Sequence, residues 1–271
     1  MSEVTHRPVH AAYRRYAYRM SHGADIQTDL TFTDLGRLAY APALAMQREV
    51  HAKVVAGEAP PTVLLVEHDP VITISRRKSA PNHLLATAEM LAAQGVTVEE
   101  TDRGGDITYH GPGQLVAYPI IRLNPLGLNI GRYMRLLEAI IIETVAAFGI
   151  EGQRDTCATG VWVSSSQFEV QSSELRNQES ETNNQKPEDP AACGLAPGAS
   201  NLAKLAALGV RVSRGVTMHG LALNVATNLS HFNLIVPCGL VGRPVTTMQA
   251  MLGDRTPSMS EVKEQLAGVM K

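Results

Sequence analysis

The segment Ile130–Phe148 is the clearest helix in this sequence, and it constrains the fold more than any other feature. Apolar side chains recur along it at helical spacing, Asn129 is suited to cap its start, and Gly149 is suited to end it. A helix with one apolar face must bury that face against another layer of the protein. The segments on both sides of this helix therefore decide the fold class.

Those flanking segments alternate between strand-like and helix-like patterns. Helices are predicted from about Ala41 to Gly57, over Ala86–Gln94, and from Ser258, where the spacing to Glu261 fits a capping box. The predicted strands are Thr62–His68, Val71–Ser75, Val96–Glu100, Ile107–His110, Gln114–Leu123, Gly160–Val163, Lys204–Ser213 and Leu221–Ala226. Because strict strand–helix–strand repetition is missing, we expect an α+β protein with a mixed β-sheet and flanking helices.

Composition and charge exclude several classes of protein. The net charge of −2 argues against a protein held to nucleic acid by bulk electrostatics, and the apolar stretches are too short for a membrane helix. Three cysteines do not make a disulfide framework, and the nine histidines show no metal-binding spacing. We therefore expect a soluble, cytoplasmic protein with no metal site.

Two segments differ from the rest of the chain. Residues 1–30 alternate arginine with tyrosine without an apolar period, which favours a disordered or irregular tail. The segment 164–192 is rich in Gln, Ser, Glu and Asn and has almost nothing to bury, which predicts a polar insertion between two strands. The remaining residues, 31–271, are expected to form a single domain that carries this insertion.

The segment Arg103–Gln114 is the most unusual stretch, with four glycines and a proline in RGGDITYHGPGQ. Glycines let the backbone approach another group closely. Two interpretations remain open: a pair of tight turns, or a pocket wall that approaches a ligand. The segment lacks the spacing of a P-loop or a dinucleotide-binding loop.

Cys238 and Lys204 are the residues best placed for nucleophilic chemistry. Cys238 lies between Pro237 and Gly239, which leave its thiol unobstructed, although packing is the ordinary role of a single intracellular cysteine. Lys204 stands alone in an apolar strand, as a lysine at a strand end or as a buried amine. His110 and His219 are the other plausible bases. Cys157, just before the strand with the only tryptophan, is expected to be a buried packing thiol.

Several separated segments, in order, resemble the octanoyltransferases of lipoate biosynthesis. The resemblance spans about Leu35–Leu252 and leaves out the N-terminal tail and the polar insertion. The segments that carry it are Leu64–Val71, Arg103–Gln114 with Tyr118, Gly160–Val163, Lys204–Val210, His219–Val225 and Pro237–Gly239.

The resemblance implies a domain similar to the biotin/lipoate protein ligases and a transfer reaction without a cofactor. An octanoyl group would pass from acyl carrier protein to a lysine of lipoyl domains, in 2-oxoacid dehydrogenase E2 subunits and the glycine cleavage H protein. Cys238 would carry the acyl group, and Lys204 would lower the pKa of its thiol and move protons. The implied substrate-binding residues are Arg103, Gly104, Gly105, Asp106, Ile107, Thr108, Tyr109, His110, Ala207, Leu208, Gly209, Gly220, Leu221 and Ala222, with Ala207 replacing a serine often found there.

Two other functions stay open. An ATP-dependent lipoate or biotin protein ligase on the same fold would activate a free acid and need no thiol. A non-catalytic relative would bind acyl chains or lipoyl domains without turnover, but it would have little reason to keep both Cys238 and Lys204.

Overall fold

The computed structural model describes residues 30–164, 201–237 and 243–271. Their strands are β1 (Thr31–Leu38), β2 (Thr62–His68), β3 (Val71–Ser75), β4 (Thr97–Thr101), β5 (Thr108–His110), β6 (Gln114–Ile120), β7 (Val161–Ser164), β8 (Leu202–Ser213) and β9 (Val216–Asn224). Their α-helices are α1 (Tyr40–Ala56), α2 (Ala88–Ala93), α3 (Ile130–Ala146), α4 (Met248–Leu252) and α5 (Met259–Met270). Short 3₁₀ turns, including Ala80–His83 and Leu229–Leu234, join several of them.

The described strands form two mixed sheets. The larger has six strands in the order β1-β2-β6-β9-β8-β7, and the smaller has three in the order β4-β3-β5. β1 pairs with β2 in parallel, and β3 pairs with β4 in parallel, whereas the other pairs are antiparallel. The expected α+β class with a mixed sheet and flanking helices is therefore confirmed.

Both faces of the large sheet are covered, because successive side chains of a strand point to opposite faces. Leu115 and Ala117 of β6 belong to the core that includes Leu137 and Ile141 of α3 and Leu266 of α5. Between them, Val116 and Tyr118 belong to a second core that includes Val54 of α1. The sheet therefore lies between α3 and α5 on one side and α1 on the other.

The helix ends follow the sequence signals. Asn129 accepts a hydrogen bond from the N–H of Arg132 at the start of α3, and Gly57 adopts a left-handed conformation after α1. Ser258 and Glu261 form the expected capping box of α5. None of the helices in the described ranges combines the length and apolar character that crossing a membrane requires.

Two strand predictions were incomplete. β1 was not predicted, because this edge strand is mostly exposed and has a polar sequence with an irregularity between Asp34 and Arg37. β9 begins at Val216 instead of Leu221, and all of its residues are buried, so it lacks the alternation that marks a half-exposed strand. The tail and almost all of the polar insertion lie outside the described residues.

Candidate functional site

A cavity of about 280 Å³ opens between the two sheets and holds most of the residues predicted for the site. Eleven of the predicted substrate-binding residues line it: Arg103, Gly105, Asp106, Thr108, His110, Ala207, Leu208, Gly209, Gly220, Leu221 and Ala222. Lys204 lines it as well. Segments separated by more than a hundred residues in the chain thus share one cavity.

Gly104, Ile107 and Tyr109 do not line the cavity. Side chains alternate along β5, so Thr108 and His110 face the cavity whereas Tyr109 packs with Ile107 in a separate core. Gly104 donates its N–H to the carbonyl of Val210, and a Cβ at Gly104 would lie 2.9 Å from that oxygen. Glycine is needed there because two backbones meet.

The guanidinium of Arg103 is fixed at the cavity wall. Its Nη2 donates to the carbonyl and to the hydroxyl of Thr73, both over 2.9 Å, and its Nη1 donates to the carbonyl of Gly104 over 3.1 Å. The glycine loop, defined here as residues 103–105, therefore begins with a permanent positive charge.

His110 is held as a neutral imidazole with one tautomer. Gln114 donates its amide N–H to the carbonyl of Tyr109 and to Asn224 Oδ1, so its Oε1 faces His110 Nδ1 at 2.7 Å and accepts a hydrogen bond. Burial, with smaller contributions from His68 and Arg103, lowers the pKa of His110 to about 3. Its Nε2 is consequently an unprotonated acceptor on a residue that lines the cavity.

His68 is a second buried histidine, and its ring contacts that of His110. Its Nδ1 is 2.8 Å from the carbonyl of Leu38 and must donate, so its Nε2 accepts the hydroxyl of Tyr118 at 2.7 Å. Burial lowers the pKa of His68. The rings of His68 and His110 meet edge to face with centroids 5.8 Å apart, which orients both imidazoles.

His219 forms a second buried pair with Asp102. Its Nε2 donates to Asp102 Oδ1 over 2.8 Å, and Arg211 binds the other carboxylate oxygen. Burial lowers the pKa of His219, whereas burial of Asp102 is outweighed by His219 and Arg211, which lower the pKa of this carboxyl. His219 has φ of 58°, and its backbone N–H donates to Gln47 Oε1. His219 therefore lines the cavity from a left-handed backbone position, with its imidazole held by Asp102.

Lys204 is 7% exposed and lies on β8 beside the only tryptophan of the chain. Its Nζ is 4.7 Å from the ring centre of Trp162, and the Cζ of Arg243 is 4.6 Å from the same ring. Arg243 Nη2 in turn donates to Asp155 over 2.9 Å. A buried amine with an aromatic neighbour is favoured over a lysine that merely ends a strand.

Cys238 and Cys193 lie outside the described residues, but both flanks of Cys238 are fixed. On one side, Val236 donates its N–H to the carbonyl of His83 over 2.8 Å. On the other, the N–H of Lys204 donates to the carbonyl of Pro244 over 2.8 Å. The chain before and after Cys238 is therefore attached to elements that carry the cavity.

The prediction that Cys157 is a buried packing thiol was wrong. Cys157 is exposed, lines the cavity and is disulfide-bonded. It lies in a turn in which Asp155 accepts the N–H groups of Cys157 and Ala158. The apolar strand that follows in sequence suggested burial, whereas the turn places the sulfur at the surface.

Sequence reasoning did not assign Tyr40, Arg77, Val116 and the segment 157–159 to the site, although all of them line the cavity. Tyr40 and Val116 have the pattern of core residues. Tyr118 and His219, which the resemblance covers, line it too.

Residues 39–271 match the family described as the lipoyl protein ligase A/B catalytic domain. The chain belongs to this family. Several similar proteins are octanoyltransferases. That of Chloroflexus aurantiacus is 43% identical, with 88% of this chain and 90% of the relative covered. That of Roseiflexus is 44% identical (88% and 85% covered), and that of Geobacter metallireducens is 38% identical (87% and 89% covered).

Solved structures of lipoate protein ligases have a similar fold. A bipartite lipoate protein ligase from Thermoplasma acidophilum superposes with a TM-score of 0.59 at 12% identity, covering 89% of this chain and 81% of the other. Lipoate-protein ligase A bound with ATP gives a TM-score of 0.56 at 12% identity, covering 89% and 83%. At this identity the likeness shows the fold alone.

Proposed function

We propose that this protein is an octanoyl-[acyl carrier protein]–protein N-octanoyltransferase that acts through a thioester on Cys238. The observation that carries the proposal is the cavity that contains Lys204, because the chain on both sides of Cys238 is attached to the elements around it. The relatives named octanoyltransferase, with which it shares 38–44% identity, support this activity.

The cavity suits a medium-length acyl chain. Side chains on one face of three neighbouring strands, at Val116, Ala207 and Ala222, give it apolar walls. Burying the six methylenes of an octanoyl chain is worth about 5 kcal/mol, at roughly 0.8 kcal/mol for each CH₂. Binding energy of this size is enough to hold the acyl chain in the cavity.

In the first half-reaction, Lys204 accepts the thiol proton of Cys238 and the thiolate attacks the thioester carbonyl of the donor. The tetrahedral oxyanion collapses, the bond to the carrier's sulfur breaks, and the carrier leaves as a thiol after taking a proton from Lys204. Backbone N–H groups around the glycine loop or around 204–209 would stabilise the oxyanion, other than those of Gly104 and Lys204, which already donate to Val210 and Pro244.

In the second half-reaction, the amine of the acceptor lysine attacks the Cys238 thioester. An amide bond forms, the carbon–sulfur bond breaks, and the proton of the amine passes through Lys204 to the departing thiolate. His110 Nε2, a neutral acceptor at the cavity, positions the incoming amine by accepting one of its N–H groups. Because the product amide is more stable than either thioester, no ATP is consumed.

The partners follow from this reaction. The donor is octanoyl-acyl carrier protein, and the acceptors are the lipoyl domains of 2-oxoacid dehydrogenase E2 subunits and the glycine cleavage H protein. We place the reaction in the cytoplasm, in keeping with the composition of the chain.

An ATP-dependent lipoate ligase is the second candidate, because such ligases are built on the same fold. A ligase would need ATP and free octanoate or lipoate, and it would not depend on a thiol. A non-catalytic binding protein would give no turnover with either kind of donor.

The deciding experiment is the intact mass of the protein after incubation with octanoyl-acyl carrier protein. A reductant is present, since Cys157 forms a disulfide. We expect a gain of one octanoyl group that hydroxylamine removes and that Cys238→Ser abolishes, while Cys157→Ser, the matched control, retains it. An adduct that persists without Cys238, or octanoylation that requires ATP, would reject the thioester mechanism.

A further inference from the structure

The loop that follows β3 carries three consecutive basic residues, Arg76, Arg77 and Lys78, defined here as the basic rim. All three are exposed, and Arg77 lines the mouth of the cavity. The chain as a whole has 24 basic and 26 acidic residues, so positive charge is not a general property of its surface. The basic rim is a local feature of the cavity entrance.

The basic rim is held close to the glycine loop. Ser75 donates its hydroxyl to the carbonyl of Gly105 over 2.9 Å, and its Oγ accepts the N–H of Arg77 over 3.2 Å. The rim therefore keeps its place relative to the cavity.

The positive charge of the rim is only partly neutralised. Arg77 Nη1 lies 3.7 Å from Asp106, a buried carboxylate that also binds His83 at 2.6 Å and accepts the N–H of Ile107. Arg76 and Lys78 make no ion pair with any residue that the structure describes. Two long cationic side chains beside a substrate cavity are thus available to a partner.

We propose that the basic rim is the docking surface for an acidic face of the acyl-donor carrier protein. This inference rests on the proposed transferase function. Both protein substrates must bring a reactive group to the cavity, but the acceptor brings a lysine ammonium, which the rim repels. An anionic carrier is attracted, and complementary charge at a rim acts mainly on the association rate and its salt dependence.

The test compares three octanoyl thioesters as donors: those of acyl carrier protein, phosphopantetheine and pantetheine. Arg76→Glu and Lys78→Glu should each lower kcat/KM for the carrier about tenfold, and the double variant should lower it further. With the pantetheine thioester, and with the phosphopantetheine thioester, kcat/KM should stay within about twofold of wild type. The KM for the acceptor should not rise. Arg132→Glu, an exposed position on α3 with the same change of charge, is the control.

Four outcomes would overturn the proposal. If the rim variants lose as much kcat/KM with the pantetheine thioester as with the carrier, the substitutions have damaged the site. If they lose as much with the phosphopantetheine thioester, the rim binds the phosphate group. A rise in acceptor KM would assign it to the acceptor. An equal loss in Arg132→Glu would mean a general effect of net charge.

Direct binding separates this inference from the proposed function. Anisotropy of labelled octanoyl-acyl carrier protein with Cys238→Ser needs no turnover, and the added Arg76→Glu and Lys78→Glu substitutions should raise Kd about tenfold at low salt. If wild type transfers octanoyl from no donor while this dependence on the rim is found, the proposed function fails and the docking surface stands. If the two substitutions leave Kd unchanged, the docking surface is rejected.

Discussion

The backbone of Lys204 is joined to Pro244, whose carbonyl accepts the Lys204 N–H over 2.8 Å, and the Lys204 carbonyl accepts the N–H of Thr246 over 2.9 Å. These two bonds attach the chain that follows Cys238 to the strand that carries the candidate proton carrier. The six residue-to-residue steps from Cys238 to Pro244 span at most about 22 Å when the chain is fully extended. The pairing thus sets an upper limit on how far the proposed nucleophile can lie from Lys204.

Replacement of Lys204 by Met should slow the reaction of Cys238 with iodoacetamide at pH 7 about tenfold, because the thiolate loses a neighbouring cation. Methionine keeps an apolar side chain beside Trp162, so the fold is preserved. The measurement is made in a Cys157→Ser, Cys193→Ser background, where Cys238 is the only thiol. Transfer should fall at least about a hundredfold. Alkylation at the wild-type rate would remove Lys204 from the proposed role.

The buried His110 should make the protein sensitive to mild acid. The folded pKa is about 3 against an ordinary 6.5, so between these values the unfolded chain binds more protons and stability falls as the pH falls. From pH 7 to pH 5 this group alone removes about 2 kcal/mol. Urea denaturation at both pH values should show a smaller loss for His110→Asn, with the remainder due to His68 and His219, whose pKa values are also lowered. Equal losses in wild type and variant would contradict this assignment.

Gly220 should not tolerate a side chain. A Cβ there would lie 2.2 Å from the carbonyl oxygen of Ala117 and 2.7 Å from Pro119 Cδ, so β9 would have to move away from β6. We expect Gly220→Ala to cost about 3 kcal/mol of unfolding free energy. Gly268→Ala in α5, where nothing lies within 4 Å, is the control and should stabilise by about 0.5–1 kcal/mol. If urea denaturation gives the two variants the same stability, close packing is not the reason for glycine at 220.

The sequence predicted most helices and strands because their patterns are local. The apolar period of α3 and the capping box of α5 report directly on one buried face and one helix start. β1 and the first half of β9 were missed for opposite reasons. The first is mostly exposed at a sheet edge, and the second is buried throughout, so neither alternates between apolar and polar residues.

The site was predicted less completely, because a cavity is formed by residues distant in the chain. The glycines marked places of close backbone approach, which the contacts of Gly104 and Gly220 explain. Nothing in the sequence distinguishes Val116, which lines the cavity, from Leu115, which packs in the core, until the neighbouring strands are placed. The exposure of Cys157 likewise depends on the turn at Asp155.

Ala222 should set the length of the acyl chain. It pairs with Val116 on one neighbouring strand and with Ala207 on the other, and all three line the cavity. A leucine at position 222 would take up space that the end of an octanoyl chain needs. Ala222→Leu should lower kcat/KM about a hundredfold with octanoyl-pantetheine but only a few-fold with butanoyl-pantetheine, since one methylene in such a pocket is worth roughly 1–3 kcal/mol. Ala45→Leu, on the exposed face of α1 and away from the cavity lining, is the control and should change neither value. An equal loss with both donors would show that Ala222 supports the fold without selecting the chain length.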